Sequence, residues 1–263
     1  MASLTGRGTE STRAREVDTL SYASAPVSVR EDLRAAQARA WDALGRPGNW
    51  WTGAERIAIA EATRTAPTCS LCRERKAALS PYTVAGVHDG PQTPSALAVD
   101  AVHRIATDPG RLTRRWFDDL RAAGLGDGAY VELIGIVTTV LGIDSFCRAL
   151  GLPGHPLPTS EAGEPSRYRP ANAIDEGAWV ASIPSGAATG PEADLYADIA
   201  GATPNVIRAL SLVPDALRTL KDLGAAHYMS PAEMPDLTLG RSIDRTQIEL
   251  IAGRVSALRE CFY

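Results

Sequence analysis

The sequence predicts an all-α protein, and three observations predict it. Apolar residues recur at helical spacing through most of the chain, strand-like alternation is scarce, and aromatic content is only 6%. With 263 residues the chain is long enough for one large or two modest domains, each with its own core.

Residues 1–28 are rich in Ser, Thr and Arg without apolar periodicity, so they read as a disordered tail. They also lack the apolar core of a secretory signal. Order is expected from Val29. Leu33, Ala36, Ala40, Trp41 and Leu44 predict a helix over 30–45, and 54–66 repeats the pattern. Pro67 interrupts, Thr68 is placed to cap, and Cys69 opens a helix running through Lys76. A loop rich in Gly and Pro covers 81–94, followed by helical patterns at 96–107, 112–123 and 130–150. The last is nearly all apolar and is expected at the centre of a core. The Pro- and Gly-rich stretch beyond Gly151 reads as a connection between two units. Helices are predicted again over 192–199, 205–212, 215–228 and from Asp244 onward. The organisation expected is a tail (1–28), a first helical unit (29–151), a linker (152–190) and a second unit (191–263).

A net charge of −4 from well-mixed acids and bases, with no Lys/Arg run, implies neither nucleic acid nor an anionic membrane as partner. No stretch is read as approaching the roughly 18 apolar residues of a membrane span, so a cytoplasmic protein is expected. Four cysteines are too few for a disulfide scaffold in a chain this size. In a reducing compartment a close pair is catalytic or metal-binding rather than structural.

That pair is Cys69 and Cys72. Cysteines at i and i+3 in a first helical turn share a face, within reach of a disulfide. The helix start carries partial positive charge, and Arg73, Arg75 and Lys76 add cations, an environment that favours thiolate. Attack of Cys72 on a peroxide gives a sulfenic acid, which Cys69 condenses with to form a disulfide. Glu55 is a candidate acid/base or orienting group, although an unbroken helix would hold it about 20 Å from Cys69. His88 and His103 are the nearby candidates to complete a Cys2His2 zinc set, but their separation exceeds that of a zinc finger, so no metal or cofactor is assigned. His155 and His227 read as structural histidines and Cys147 as a small buried hydrophobe. Glu132 and Asp144, in the apolar 130–150 helix, read as capping or solvent-facing groups, or as a pair lining a cavity.

A faint repeat relates the two units. Glu55-Arg56-Ile57-Ala58 precedes Cys69, and Glu249-Leu250-Ile251-Ala252 precedes Cys261, with a two-residue insertion around Pro67 in the first copy. The segment from Glu249 to Tyr263 resembles the signature helix of the AhpD-like, carboxymuconolactone decarboxylase superfamily: a Glu, eleven residues, then C-x-x-C followed by a His. Residues 204–214 resemble that family's lead-in helix. Residues 50–151 look like a diverged copy, with Glu55, Cys69 and Cys72 on matching positions. The resemblance implies two tandem all-helical units, the second incomplete, in a homo-oligomer. It further implies that the second cysteine attacks hydroperoxide, the first resolves it, and Glu and His relay protons, with a thiol or disulfide donor restoring the pair. Catalytic candidates are then Cys72, Cys69, Glu55, Glu249 and Cys261.

Two departures stand out. Lys76 occupies the position of the first unit's expected His, and the sequence stops at Tyr263, one position before the second unit's other cysteine. That ending raises the expectation of an in-frame UGA read as selenocysteine, against a fragment or a natural truncation. The leading function is thiol-dependent hydroperoxide reduction. The alternatives are a lyase of the same superfamily and a non-catalytic, zinc-stabilised or oligomerising helical module.

Overall fold

A computed structural model describes residues 20–258 together with Cys261. The chain is all-α: among the described residues the regular structure is helical, and the one β-type contact is an isolated bridge between Ile174 and Ser182.

Helix α1 (Glu31–Leu44) places Glu31 and Asp32 in its first turn, where the helix dipole favours acids, and buries Leu33, Ala36, Ala40, Trp41 and Leu44. Helix α2 (Gly53–Thr65) opens on a capping box, the Thr52 N–H donating to the Glu55 carboxylate at 2.8 Å while Thr52 Oγ1 accepts from the Glu55 N–H. Pro67 sits in a 3-10 turn, Ala66–Thr68, that redirects the chain into α3 (Ser70–Ala77). After the loop come α4 (Ala96–Thr107), N-capped by Ser95, α5 (Arg114–Ala122), N-capped by Thr113, and α6 (Asp127–Ala149). These six elements lie within a few residues of the ranges that periodicity predicts.

Helix α6 is the axis of the fold. It packs against α1, α2, α4 and the later helix α8 (Pro214–His227), and the core of Trp41, Ile59, Val102, Phe117, Leu133, Ile136 and Ile143 gathers around it. By length and composition α6 is apolar enough to cross a membrane, contrary to the expectation that no stretch would be. Just over half of its most apolar window is buried within the fold.

Residues 152–189 hold no regular helix, as expected of a connection, yet they are fastened along their length. Trp41 Nε1 donates to Pro156 O at 2.9 Å, Glu161 N to Gly45 O at 2.7 Å, Ser166 N to Gly48 O at 3.0 Å and Arg167 N to Asn49 O at 2.8 Å. Gly45 permits this close approach, since a Cβ there would stand 2.5 Å from Thr159 O. A second apolar cluster, including Ile183 of the strap and Leu195, Leu212 and Leu217 beyond it, closes onto Val131 of α6.

Three expectations change. Residues 193–198 form turns after the 3-10 turn Gly190–Glu192 rather than a helix, and Tyr196 is held by its hydroxyl, which donates to Ile183 O at 3.0 Å. The helix predicted to reach 212 is the short α7 (Asn205–Arg208): Ser211 Oγ donates to Arg208 O at 2.7 Å and accepts from Ile183 N at 2.8 Å, diverting the ladder, and Pro214 has no N–H to extend it. The predicted tail falls mostly outside the described residues, but Leu20 and Tyr22 within it are buried in the main core. Helix α9 (Arg245–Leu258) forms as predicted and buries none of its residues, whereas α2, its proposed counterpart, buries Ile59, Ala60, Ala62 and Thr63.

Candidate functional site

Cys69 is itself the N-cap residue of α3, one position later than expected, and Cys72 falls in the first turn. A cysteine caps poorly, so the free N–H groups of this turn need another acceptor. Asp89 supplies it, accepting from Ser70 N at 2.8 Å and from Ser70 Oγ at 2.9 Å. This contact folds the loop after α3 back over the cysteines and carries the adjacent His88 to them. From the other side α4 presents Asp100 and His103, which share a face at i,i+3.

Four donor atoms converge. His88 Nδ1 lies 3.5 Å from the Sγ of both Cys69 and Cys72, and His103 Nδ1 lies 3.2 Å from Cys72 Sγ. All four atoms are within 4.8 Å of one another, and all four residues are buried. Among the described residues, these four form the group whose donor atoms lie close enough together to hold a metal ion. Behind His88, Asp100 Oδ1 is 3.0 Å from Nε2, and Asp100 also accepts from Arg75 Nη1 at 2.6 Å and Arg104 Nε at 2.9 Å. A carboxylate on Nε2 favours the proton there and leaves Nδ1 facing the sulfurs.

Electrostatics follow from these contacts. Burial pushes the Cys69 thiol up, but the N–H groups of Asp89 and Cys72 and the His88 ring outweigh it and bring its pKa down to about 7. Burial works against charge on His88, yet Asp100 and the two sulfurs raise it to about 10. His103, desolvated and facing His88, is lowered to about 4. Asp100 resists its own burial through His88 and two arginines, which hold it well below the usual carboxylate range.

Access is narrow. Cys72 lines a crevice with Arg75, Tyr82, Arg104 and Arg111 whose free volume is about 10 Å³, close to the room needed by one water.

The structure brings together Cys69 and Cys72 and adds His88 and His103 to them. It does not bring Glu55 there: that carboxylate caps α2, at the far end of a 13-residue helix that rises about 20 Å. Glu249 lies on α9, accepting from Tyr228 OH at 2.8 Å and Arg245 Nε at 2.7 Å, and Cys261 is exposed. Of the three cations expected around the pair, Arg75 reaches His88 and Asp100, Arg73 is exposed, and Lys76 lies 3.4 Å from Thr107 O. Asp89 and Asp100 were not predicted; the i,i+3 spacing of Asp100 and His103 was the available signal. Cys147 is buried, as expected, and His227 pairs with Gln37 at 3.0 Å. Glu132 lines a cavity of about 330 Å³ in an ion pair with Arg56, while Asp144 holds Arg64 through bonds of 2.7 and 2.8 Å.

Comparison of the chain with protein-family models, with curated proteins and with solved structures finds no match.

Proposed function

We propose that the chain is a thiol-dependent hydroperoxide reductase working through Cys72 and Cys69. The observation that carries this reading is the convergence of two sulfurs and two imidazoles, with Cys72 the sulfur that lines the crevice. Helix start, imidazole and carboxylate form the arrangement that activates a thiol as nucleophile. The likeness of 249–263 to the AhpD-like signature helix is the second support.

In the first step Cys72 thiolate attacks one peroxide oxygen: an S–O bond forms, the O–O bond breaks, and the leaving hydroxide takes a proton from the imidazolium of His88. In the second step Cys69 thiolate attacks Cys72 Sγ, the S–S bond forms, and the sulfenic hydroxyl leaves as water after protonation. The peroxide gains two electrons and the dithiol loses two, which an external thiol donor returns by exchange. The narrowness of the crevice at Cys72 disfavours a bulky alkyl hydroperoxide relative to a small oxidant.

The test is peroxide-dependent loss of free thiols in the folded chain, with mass mapping of the product. A Cys69–Cys72 disulfide is expected. Cys72→Ser is expected to protect the Cys69 thiol from peroxide, read by mass mapping apart from the exposed Cys261, whereas Cys69→Ser leaves a Cys72 sulfenic acid that a carbon-acid probe labels. Thiols that survive peroxide in the folded chain and react only after unfolding would end this reading.

A further inference from the structure

We propose that Cys69, Cys72, His88 and His103 are the four ligands of a zinc ion, in a closed Cys2His2 centre that staples the loop between α3 and α4 to both helices. The assignment needs only the four donors and does not rest on the redox reading.

Geometry is the first argument. Zinc–sulfur bonds of about 2.3 Å and zinc–nitrogen bonds of about 2.0–2.1 Å place tetrahedral sulfur and nitrogen ligands about 3.5 Å apart. The observed sulfur–nitrogen separations are 3.5, 3.5 and 3.2 Å. The longest separation in the set, within 4.8 Å, closes to a tetrahedral edge by side-chain rotation on the order of an ångström.

Surroundings give the second argument. Asp100 grips His88 through Nε2 at 3.0 Å, the carboxylate–histidine arrangement that orients a metal-binding imidazole. Asp89 N–H lies 3.4 Å from Cys69 Sγ, a donor directed at that sulfur. Charge is the third argument. Two thiolates, two neutral imidazoles and one divalent cation sum to zero, so a zinc-loaded centre brings no net charge into the buried site. Two sulfurs and two nitrogens in a tetrahedron select zinc among the common ions.

The sequence offers these four residues as candidates without showing that they meet. The intervals are two residues between the cysteines, fifteen to His88 and fourteen to His103. The His–His interval is wider than that typical of a zinc finger, and it is the Asp89 cap and the α4 face that bring the distant histidines in. Four protein ligands leave no open coordination position, so the centre is structural. Zinc and oxidation then compete for the same sulfurs, because a disulfide has no thiolate to offer.

The experiment titrates the full-length, reduced, metal-free chain with cobalt(II) and then zinc, without peroxide. One equivalent of cobalt is expected, with the intense visible bands of a tetrahedral ion and thiolate-to-cobalt charge transfer. One equivalent of zinc should bleach them. Asp100→Asn is expected to weaken binding about 10- to 100-fold, and His103→Ala should abolish the tetrahedral spectrum. An octahedral cobalt spectrum, substoichiometric binding, or affinity unchanged in His103→Ala overturns the assignment. Should His103→Ala fail to fold, the wild-type spectrum decides alone. A separate arm measures peroxide consumption by the chelated chain. Tetrahedral cobalt without peroxide consumption keeps the metal centre and removes the reductase reading; peroxide consumption without tetrahedral cobalt does the reverse.

Discussion

Glu132 is a carboxylate in the middle of the most apolar helix, and its contacts explain how it is tolerated. Burial pushes its pKa up, while the Arg56 ion pair and the Trp50 N–H, 2.6 Å away, oppose that shift. Removing one member of a buried pair strands the other, which costs about 3–5 kcal/mol. Glu132→Ala is therefore expected to lower unfolding free energy by about that amount, read from denaturant midpoints, with Glu132→Gln losing less because the amide still accepts from Trp50. A loss under about 1 kcal/mol would mean that Arg56 finds water in the adjoining cavity. At this scale the sequence was partly legible. The C-x-x-C pair is local and declares itself, as does Cys147 in an apolar run. The roles of His88 and Asp100 depend on a loop folding back through a side-chain cap, which residue spacing alone does not encode.

Helix α4 forms one wall of the thiol site, and its start depends on a single hydroxyl. Ser95 Oγ accepts from Ala98 N at 3.1 Å. Ser95→Ala is expected to cost about 1 kcal/mol of global stability. Calorimetry should show the lowered Tm, while cobalt stoichiometry stays at one, because Asp100 and His103 lie beyond the cap. Elements with a long apolar stripe were legible: α4 spans the predicted 96–107, and α1, α2 and α6 depart by one to three residues. Prediction failed at 192–199 and 205–212, where the apolar residues are real core residues but Tyr196 and Ser211 bond across to Ile183 rather than along a helix. Periodicity registers burial in both cases and cannot separate a short helix from an anchored turn.

For the whole molecule, the strap of 152–189 is the feature whose fastening composition does not show. Its Pro and Gly content reads as a connection, and backbone bonds to Gly45, Gly48 and Asn49 fix it over the α1–α2 junction. Arg169 adds a bidentate bond to Asp127, at 2.8 and 3.0 Å, at the start of α6. Burial pushes the Asp127 carboxyl up, but Arg169 and the Gly128 N–H more than reverse it, so its pKa is lowered. A lowered folded-state pKa means that this contribution is complete above the ordinary aspartate range and is lost as pH falls through the lowered value. The pair is partly exposed, so its worth is on the order of 0.2–1 kcal/mol. Acidification through that range is expected to lower the protection of the Glu161, Ser166 and Arg167 amides, measured against the intrinsic exchange rate at each pH, and Arg169→Gln should show the lowered protection already at neutral pH. Protection independent of both would separate the strap from this pair.

Helices α2 and α6 run in the same direction, joined near their starts by Arg56 with Glu132 and further along by Arg64 with Asp144. An axial slip of α2 by one turn would break both pairs at once, so the ion pairs act with the apolar packing of Ile59 and Ala60 to fix how far along α6 the end of α2 lies. That end feeds through the Pro67 turn directly into Cys69, while α4, carrying His103, leans on the same axis. The distance between sulfur and imidazole is thereby governed from afar. Neutralising Asp144, which touches no ligand, is expected to blur the cobalt spectrum before it unfolds the chain.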